Sequence, residues 1–420
     1  MTVTPVVLAG DVLDALPTLA DASIDAVVCD PPYALGFMGH EWDTHTPQGF
    51  QAWCQAWARE CLRVLRPGGH LLAFGGTRTV HRLTSGIEDA GFEIRDGIDW
   101  LYGSGFPKSL DVSKAIDKAA GIEREILETR KTQPKFARAG DGRLQPKWIN
   151  KDTVDITAPT STEAKRWAGW GTALKPARES IVVARKPLAG TVAANVQAYG
   201  TGAVNIDACR VNPGTPVRDG GGGARSARSA GIMGAAQPGN YSAAHTAGRW
   251  PTNVIMSHAG NDDTGDACAD ACAPGCAVAA LDAQSGTLKS GGGDRGKTGR
   301  SGGLMGVDSA HTTAYSRDTD EGGASRFYPV FRYQAKAPAR ERPKVNGVSH
   351  STVKPLELMR WLVRLVTPPG GRVLDPFTGS GTTVEACILE GFQITAVEKH
   401  APYLPLIDAR IARATGPTTQ

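Results

Sequence analysis

Apolar residues follow two different periods at both ends of the chain. In residues 1–104, "SIDAVVCD" is a short continuous apolar run and reads as a buried strand. "GFQAWCQAWARECLRVL" spaces its apolar positions three to four apart, which predicts an amphipathic helix. "GGHLLAFGG" predicts a second strand and "TVHRLTSGIEDAG" a further helix. Arg66-Pro67-Gly68-Gly69 supplies the stop-and-turn signal between the first helix and the second strand. Alternation of this kind predicts a parallel α/β sheet.

The same pattern returns in residues 346–420. "PLELMRWLVRLVT" predicts an amphipathic helix, "GRVLDPF" a strand, "GTTVEACILEG" a helix and "FQITAVE" another strand. Residues 105–345 lack such periodicity. "RDGGGGARSARSAGIMGAAQPGN" and "LKSGGGDRGKTGRSGGLMG" carry few apolar residues and predict loops. "ESIVVARKPL", "GAVNIDACRV" and "RWPTNVIMSH" are the ordered-looking pieces of this zone, and no fixed-period repeat is evident. The α/β material is thus expected in two halves, 1–104 and 346–420, with a long insertion between them.

Composition narrows the class only a little. The chain has 420 residues, 41% of them hydrophobic, which suffices for two domains or for one domain with a large insertion. A formal net charge of +4 is compatible with a nucleic-acid partner without requiring one. No apolar run approaches a membrane span, and the N-terminus lacks a basic, signal-type start. The expectation is a soluble, cytoplasmic protein without a membrane partner. Eight cysteines scattered over this length do not suggest a disulfide scaffold.

The chemistry-bearing stretch of the C-terminal half is "VLDPFTGSGTTVEACILEGFQITAVEKH". A strand, a Gly-x-Gly turn, a helix and a strand ending in Glu398 make a nucleotide-binding βαβ unit. Its glycines allow close backbone approach to a ligand, and the terminal acid suits a ribose diol. A dinucleotide fingerprint would place a third glycine where Val384 stands, and the Asp375-Pro376-Phe377 lead-in does not belong to that pattern.

The N-terminal half carries "AVVCDPPYALGF". Neither Pro31 nor Pro32 can donate to a ladder, so the strand must end there and present its last residues to a ligand or a neighbouring segment. The bland alternative is a Pro-Pro turn that caps a strand. The tetrapeptide resembles the catalytic loop of amino-group DNA methyltransferases, and that resemblance implies an exocyclic base amine as its ligand. Such an amine is a poor nucleophile because its lone pair is delocalised into the ring; acceptors aimed at its N–H groups favour the geometry of attack and stabilise developing positive charge. The resemblance makes the Asp30 carboxylate and the Pro31 carbonyl those acceptors, with Tyr33 stacking on a base taken out of the duplex.

Together, Asp30-Pro31-Pro32-Tyr33 and Phe377-Thr378-Gly379-Ser380-Gly381 resemble the catalytic and cofactor loops of amino-group DNA methyltransferases, which modify adenine N6 or cytosine N4. The catalytic loop comes first and the cofactor loop last, the permuted order of the β group. "HSTVKPLELM" resembles a further family element, with Ser351 in place of its usual proline. "WLYGSGFPKS" and "NVQAYGTGAVNIDACRV" are similar to stretches of phage- and prophage-type members. The resemblance implies a Rossmann-like α/β fold that is circularly permuted, with a target-recognition insertion at 105–345. It implies S-adenosylmethionine as cofactor and double-stranded DNA as partner, for a monomer or homodimer. Asp30, Pro31, Pro32 and Tyr33 would be catalytic. Asp375, Phe377, Gly379, Ser380, Gly381 and Thr382 would line the cofactor's methionine part, with Glu398 on the ribose. Asp11 matches an acid near the cofactor adenine, or else caps a helix. Thr352, Lys354 and Pro355 would lie near the cofactor's amino-acid end, unless Lys354 is a surface charge. Adenine N6 is the expected target and cytosine N4 the alternative. A methyltransferase for RNA or protein amines and a non-catalytic DNA-binding scaffold are the rivals.

Two weaker signals lie in the middle zone. His258, Cys268, Cys272 and Cys276 offer one imidazole and three thiols in a short segment, a donor set that suits structural Zn²⁺. The C-x₃-C-x₃-C spacing is not a common finger pattern, and incidental small cysteines are the alternative. Trp148, Trp167 and Trp170 punctuate a basic stretch, where small-core anchoring is expected ahead of base contact.

Overall fold

The computed structural model describes residues 3–35, 46–103, 109–131, 135–138, 144–147, 153–211, 248–258, 272, 276–290, 320–331 and 341–416. The chain divides into two compact units, residues 105–177 and the remainder.

In the larger unit, nine strands of the described residues share one sheet. They are β1 (Val6–Ala9), β2 (Ile24–Cys29), β3 (Leu65–Gly75), β4 (Glu93–Leu101), β5 (Arg178–Arg185), β6 (Val254–Ser257), β7 (Val330–Phe331), β8 (Arg372–Asp375) and β9 (Gln393–Glu398). Their spatial order is β1-β9-β8-β2-β3-β5-β4-β6-β7. All neighbours run parallel except β5, which is antiparallel to both β3 and β4. The two α/β halves of the sequence therefore interleave, with the C-terminal strands β8 and β9 seated between β1 and β2.

The centre of the sheet explains why its strands read as unbroken apolar runs. All six residues of β2 are buried. Side chains alternate faces along a strand. Ala26 and Val28 join Leu72 and Phe74 of β3 in one core. Val27 and Cys29 join Leu71 and Ala73 in the other. Helices α1 (Pro47–Val64) and α2 (Val80–Asp89) cover the second face with Phe50, Cys54, Trp57, Cys61, Leu83 and Ile87. Helices α5 (Leu356–Val366), α6 (Thr382–Glu390) and α7 (Leu404–Thr415) cover the first with residues such as Leu358, Leu362, Val384 and Ile407. A strand covered on both sides has no polar face to reveal its period.

The zone expected as one insertion, 105–345, is divided. Its strands β5, β6 and β7 belong to the main sheet, and the unit that separates ends at residue 177. "ESIVVARKPL" looks ordered because Ile181–Ala184 are buried between β3 and β4. Helices α3 (Val192–Tyr199) and α4 (Ala277–Ser285) also come from this zone. The glycine-rich stretches 218–240 and 291–306 lie outside the described residues.

The 105–177 unit pairs Ile126–Lys131 with Thr153–Thr157, and Lys135–Arg138 with Leu144–Lys147, both antiparallel. Its Asp117 carboxylate accepts from Ser161 Oγ (2.6 Å), the Thr160 and Ser161 amides (3.1 Å each) and Arg124 (2.9 Å). That set joins helix Val112–Ala119 to helix Thr162–Arg166. Trp167 and Trp170 meet edge to face at 5.0 Å. They do not anchor a core: Trp170 is 61% exposed. Trp148 lies outside the described residues.

Candidate active site

β2 and β8 are adjacent and parallel. Their succeeding loops, Asp30–Tyr33 and Phe377–Gly381, therefore leave the carboxyl end of the sheet side by side. Binding sites of open parallel sheets form at this end.

β2 stops at Cys29, and Asp30-Pro31-Pro32-Tyr33 has no regular secondary structure, as the missing proline donors require. Thr79 Oγ1 donates to the Tyr33 carbonyl at 2.7 Å and fixes the loop. Gly76 lies against the Tyr33 ring: a Cβ there would stand 3.0 Å from it.

Among the described residues, Asp30 has two polar partners. Tyr33 Oη donates to its Oδ1 at 2.9 Å, and Lys354 Nζ donates to its Oδ2 at 2.5 Å. A second carboxylate completes the group. Glu179 of β5 lies 3.1 Å from Tyr33 Oη and 3.3 Å from Lys354 Nζ. The ammonium also lies 3.1 Å from Tyr33 Oη and over the Phe74 ring, 4.7 Å from its centroid. Burial works against charge on Lys354, yet the Asp30 and Glu179 carboxylates outweigh it and hold its pKa above the ordinary value. Burial, with the same two carboxylates, pushes the Tyr33 phenol far up. Two carboxylates around one ammonium leave a net negative site, suited to a reacting group that becomes positive.

The glycine turn is built for close approach. Gly379 (φ +57°) and Gly381 (φ +87°) adopt backbone conformations that disfavour a side chain. A Cβ on Gly381 would stand 3.2 Å from the Ile407 backbone of α7, and one on Gly379 3.1 Å from the His350 ring. Ser380, Thr382 and Thr383 are buried. The Phe377 ring, expected along the cofactor, packs against Trp53 at 5.4 Å and Trp57 at 5.3 Å. Asp375 ends β8. Its Oδ1 accepts from the Phe377 amide at 3.1 Å. Burial pushes its carboxyl up to about 7 against the Thr383 and Phe377 hydrogen bonds, and the charges of Asp30 and Glu398 add to the rise.

Glu398 ends β9 beside this turn. Its Oε2 accepts from Gly379 N–H at 2.6 Å and its Oε1 from His400 N–H at 2.7 Å. A carboxylate offers about four lone-pair sites, so each oxygen retains capacity for a hydroxyl donor. Burial pushes its pKa upward. Asp11 comes just after β1 next door. It caps helix Val12–Ala15 by accepting from Leu13 N–H at 2.9 Å and pairs with Lys399 at 2.9 Å. The cap reading holds for it, at a position adjoining Glu398 through the Ala9–Glu398 pairing.

Of the C-terminal lead-in, Thr352 is exposed and donates N–H to His350 Nδ1 at 3.2 Å, and Pro355 caps α5. Lys354 is not a surface charge: its side chain is 11% exposed and ends on Asp30. Glu179 was missed in the sequence. Its sole signal is an acid before the apolar run "SIVVA", which becomes meaningful only once β5 is known to lie between β3 and β4. His258, Cys272 and Cys276 come together in the middle zone, while Cys268 lies outside the described residues.

Residues 24–187 and 309–409 match the N6/N4 DNA methylase family. These segments make up more than half of the chain and contain Asp30, Lys354, the glycine turn and Glu398; the chain belongs to this family. The type II methyltransferase M.HindIII of Haemophilus influenzae is 27% identical over 168 residues, 39% of this chain and 42% of that protein. M.HpaI of Haemophilus parainfluenzae, also a type II methyltransferase, is 30% identical over 112 residues, 26% of this chain and 36% of that protein. The matched region thus spans roughly two fifths of these relatives. Among solved structures, the cytosine-N4-specific PvuII DNA methyltransferase aligns with a TM-score of 0.44 at 13% identity, covering 98% of this chain and 87% of that one. The M1.HpyAVI–SAM complex aligns with a TM-score of 0.38 at 12% identity, covering 97% and 100%. Among the described residues, no helix is long and apolar enough to cross a membrane.

Proposed function

We propose that the chain methylates an exocyclic amine of a base flipped out of duplex DNA, with adenine N6 as the target and S-adenosylmethionine as the donor. The observation that carries this reading is the placement of Asp30 and the Gly379–Gly381 turn directly after adjacent parallel strands, at one end of the sheet. The turn has glycines of positive φ at both Gly379 and Gly381, and Glu398 beside it offers acceptor capacity for a ribose diol, which suits this cofactor.

S-adenosylmethionine, held by the Gly379–Gly381 turn and Glu398, would supply a methyl on a positively charged sulfur and leave as the neutral thioether, with the proton lost by the amine passing to solvent. Asp30 accepts from the amine N–H and offsets the charge that develops on nitrogen. Tyr33 Oη and Lys354 hold the Asp30 carboxylate in one orientation. Glu179 keeps the group net negative despite the ammonium. The Tyr33 ring offers the stacking face a displaced base requires. Residues 105–177, with the exposed Trp167–Trp170 pair, and the other parts of 105–345 outside the sheet carry target recognition in this reading.

Methyl transfer from labelled S-adenosylmethionine to unmethylated duplex DNA, with subsequent nucleoside digestion and mass spectrometry, tests the proposal. N6-methyladenine that disappears with Asp30→Ala is the expected result. N4-methylcytosine would keep the mechanism and move the target. Label that stays out of DNA although the cofactor binds would overturn the substrate assignment, and a chain that binds no S-adenosylmethionine would overturn the whole reading.

A further inference from the structure

The geometry points to a Zn²⁺ site formed by His258, Cys272 and Cys276, remote in sequence from both loops of the methylation site. The ligand atoms of these three residues lie within 4.8 Å of one another. Cys272 Sγ stands 3.4 Å and Cys276 Sγ 3.8 Å from the same atom, His258 Nδ1. Zn–S bonds of about 2.3 Å and Zn–N bonds of about 2.0 Å at tetrahedral angles set S···N separations of roughly 3.5 Å, between the two distances found. Hydrogen bonding explains the convergence less well. A neutral imidazole nitrogen has one in-plane lone pair and accepts one thiol, whereas a cation between the three atoms uses all of them.

The location explains why a metal would be useful there. His258 comes directly after β6, and Cys276 is the residue before α4, where its side chain makes no capping hydrogen bond. The apolar cluster between these elements has only Met256, Cys276 and Val278 fully buried among the described residues. So small a core contributes little cohesion, and small cores are commonly stapled by metal or disulfide. Cys272 and Cys276 are not joined as a disulfide. The Zn²⁺ would tie the strand end to the helix start. β6 runs parallel to β4 and β7, so the clamp stands at the carboxyl end of the sheet, the same end as Asp30. Soft thiolates with imidazole select zinc over oxygen-preferring cations.

The test is elemental analysis of the purified full chain, with Cys272→Ser and His258→Ala made separately. About one zinc per chain is expected, falling well below half in either variant. Cobalt(II) loaded into the metal-stripped chain is expected to show thiolate-to-metal charge-transfer absorption that weakens in Cys272→Ser. Circular dichroism of each variant distinguishes loss of metal from loss of fold, because the two large cores of the main sheet contain none of these three residues. Zinc-free protein after growth in zinc-supplemented medium would overturn the site. So would zinc retained at full occupancy in both folded variants.

Discussion

Two neighbouring strands of this sheet end in the same dipeptide. β2 runs into Asp30-Pro31 and β8 into Asp375-Pro376, and an aromatic ring stands shortly after each pair. Their chemistry diverges because their surroundings do. Asp30 is partly exposed and meets Lys354, a partner 324 positions away in the sequence, as well as Tyr33 Oη. Asp375 is 2% exposed and receives hydrogen bonds from its own turn, and its carboxyl rises to about 7. The aromatic rings divide likewise: Tyr33 turns its hydroxyl to two carboxylates, whereas Phe377 packs against Trp53 and Trp57. In the proposed reading one acid is held for contact with a reacting group, whereas the other accepts from the backbone of its own turn.

The comparison breaks most readily at Asp30. Asp30→Ala should lower methyl transfer by about 100- to 1000-fold, the scale seen when one transition-state hydrogen-bonding group is removed. S-adenosylmethionine binding by calorimetry should survive. Turnover within a few-fold of the parent would remove Asp30 from the mechanism. Glu398→Ala should do the reverse. Losing charge-assisted hydrogen bonds to a diol should weaken S-adenosylmethionine binding about 100-fold, while turnover at saturating cofactor changes far less. A cofactor titration decides, and unchanged affinity would exclude the ribose role.

Asp375 sharpens the contrast through pH. Between its ordinary value of 3.8 and about 7, the folded chain keeps a proton that the unfolded chain has released. The contribution of this group to stability therefore falls as pH rises through that window. Asp375→Asn removes the titration and retains an acceptor for the Phe377 amide. Relative to the parent, it should gain on the order of 2 kcal/mol more stability at pH 8 than at pH 5. Melting curves at both pH values check this, and an equal offset at the two would refute the raised carboxyl.

Lys354→Met is the smaller perturbation. It removes the ammonium that holds the Asp30 carboxylate in one orientation, while Tyr33 Oη still donates to it. Turnover should fall about tenfold, the scale of one hydrogen bond to a charged group, with S-adenosylmethionine affinity within a few-fold of the parent. Steady-state kinetics with a cofactor titration check this, and unchanged turnover would assign Lys354 to packing on the Phe74 ring alone.

Much of this molecule is set by local sequence. The apolar runs specify buried strands, the three-to-four spacing specifies the covering helices, and Pro31 and Pro32 end β2 whatever surrounds it, because they lack donors. Gly379 and Gly381 are legible because the turn after β8 takes positive φ at both positions, where a side chain is disfavoured. Tertiary structure decided the rest. The buried run Ile181–Arg185 carries no mark of its neighbours, so nothing local announces that β5 lies between β3 and β4, and that position brings Glu179 to Tyr33. The lysine of "STVKP" becomes a partner of Asp30 only when α5 packs on the sheet that β2 occupies. Sequence thus determined which groups the site has at its disposal. Burial and long-range pairing decided which acid keeps an ammonium beside it and which is driven toward the neutral form, since both depend on what other segments bring within a few ångströms.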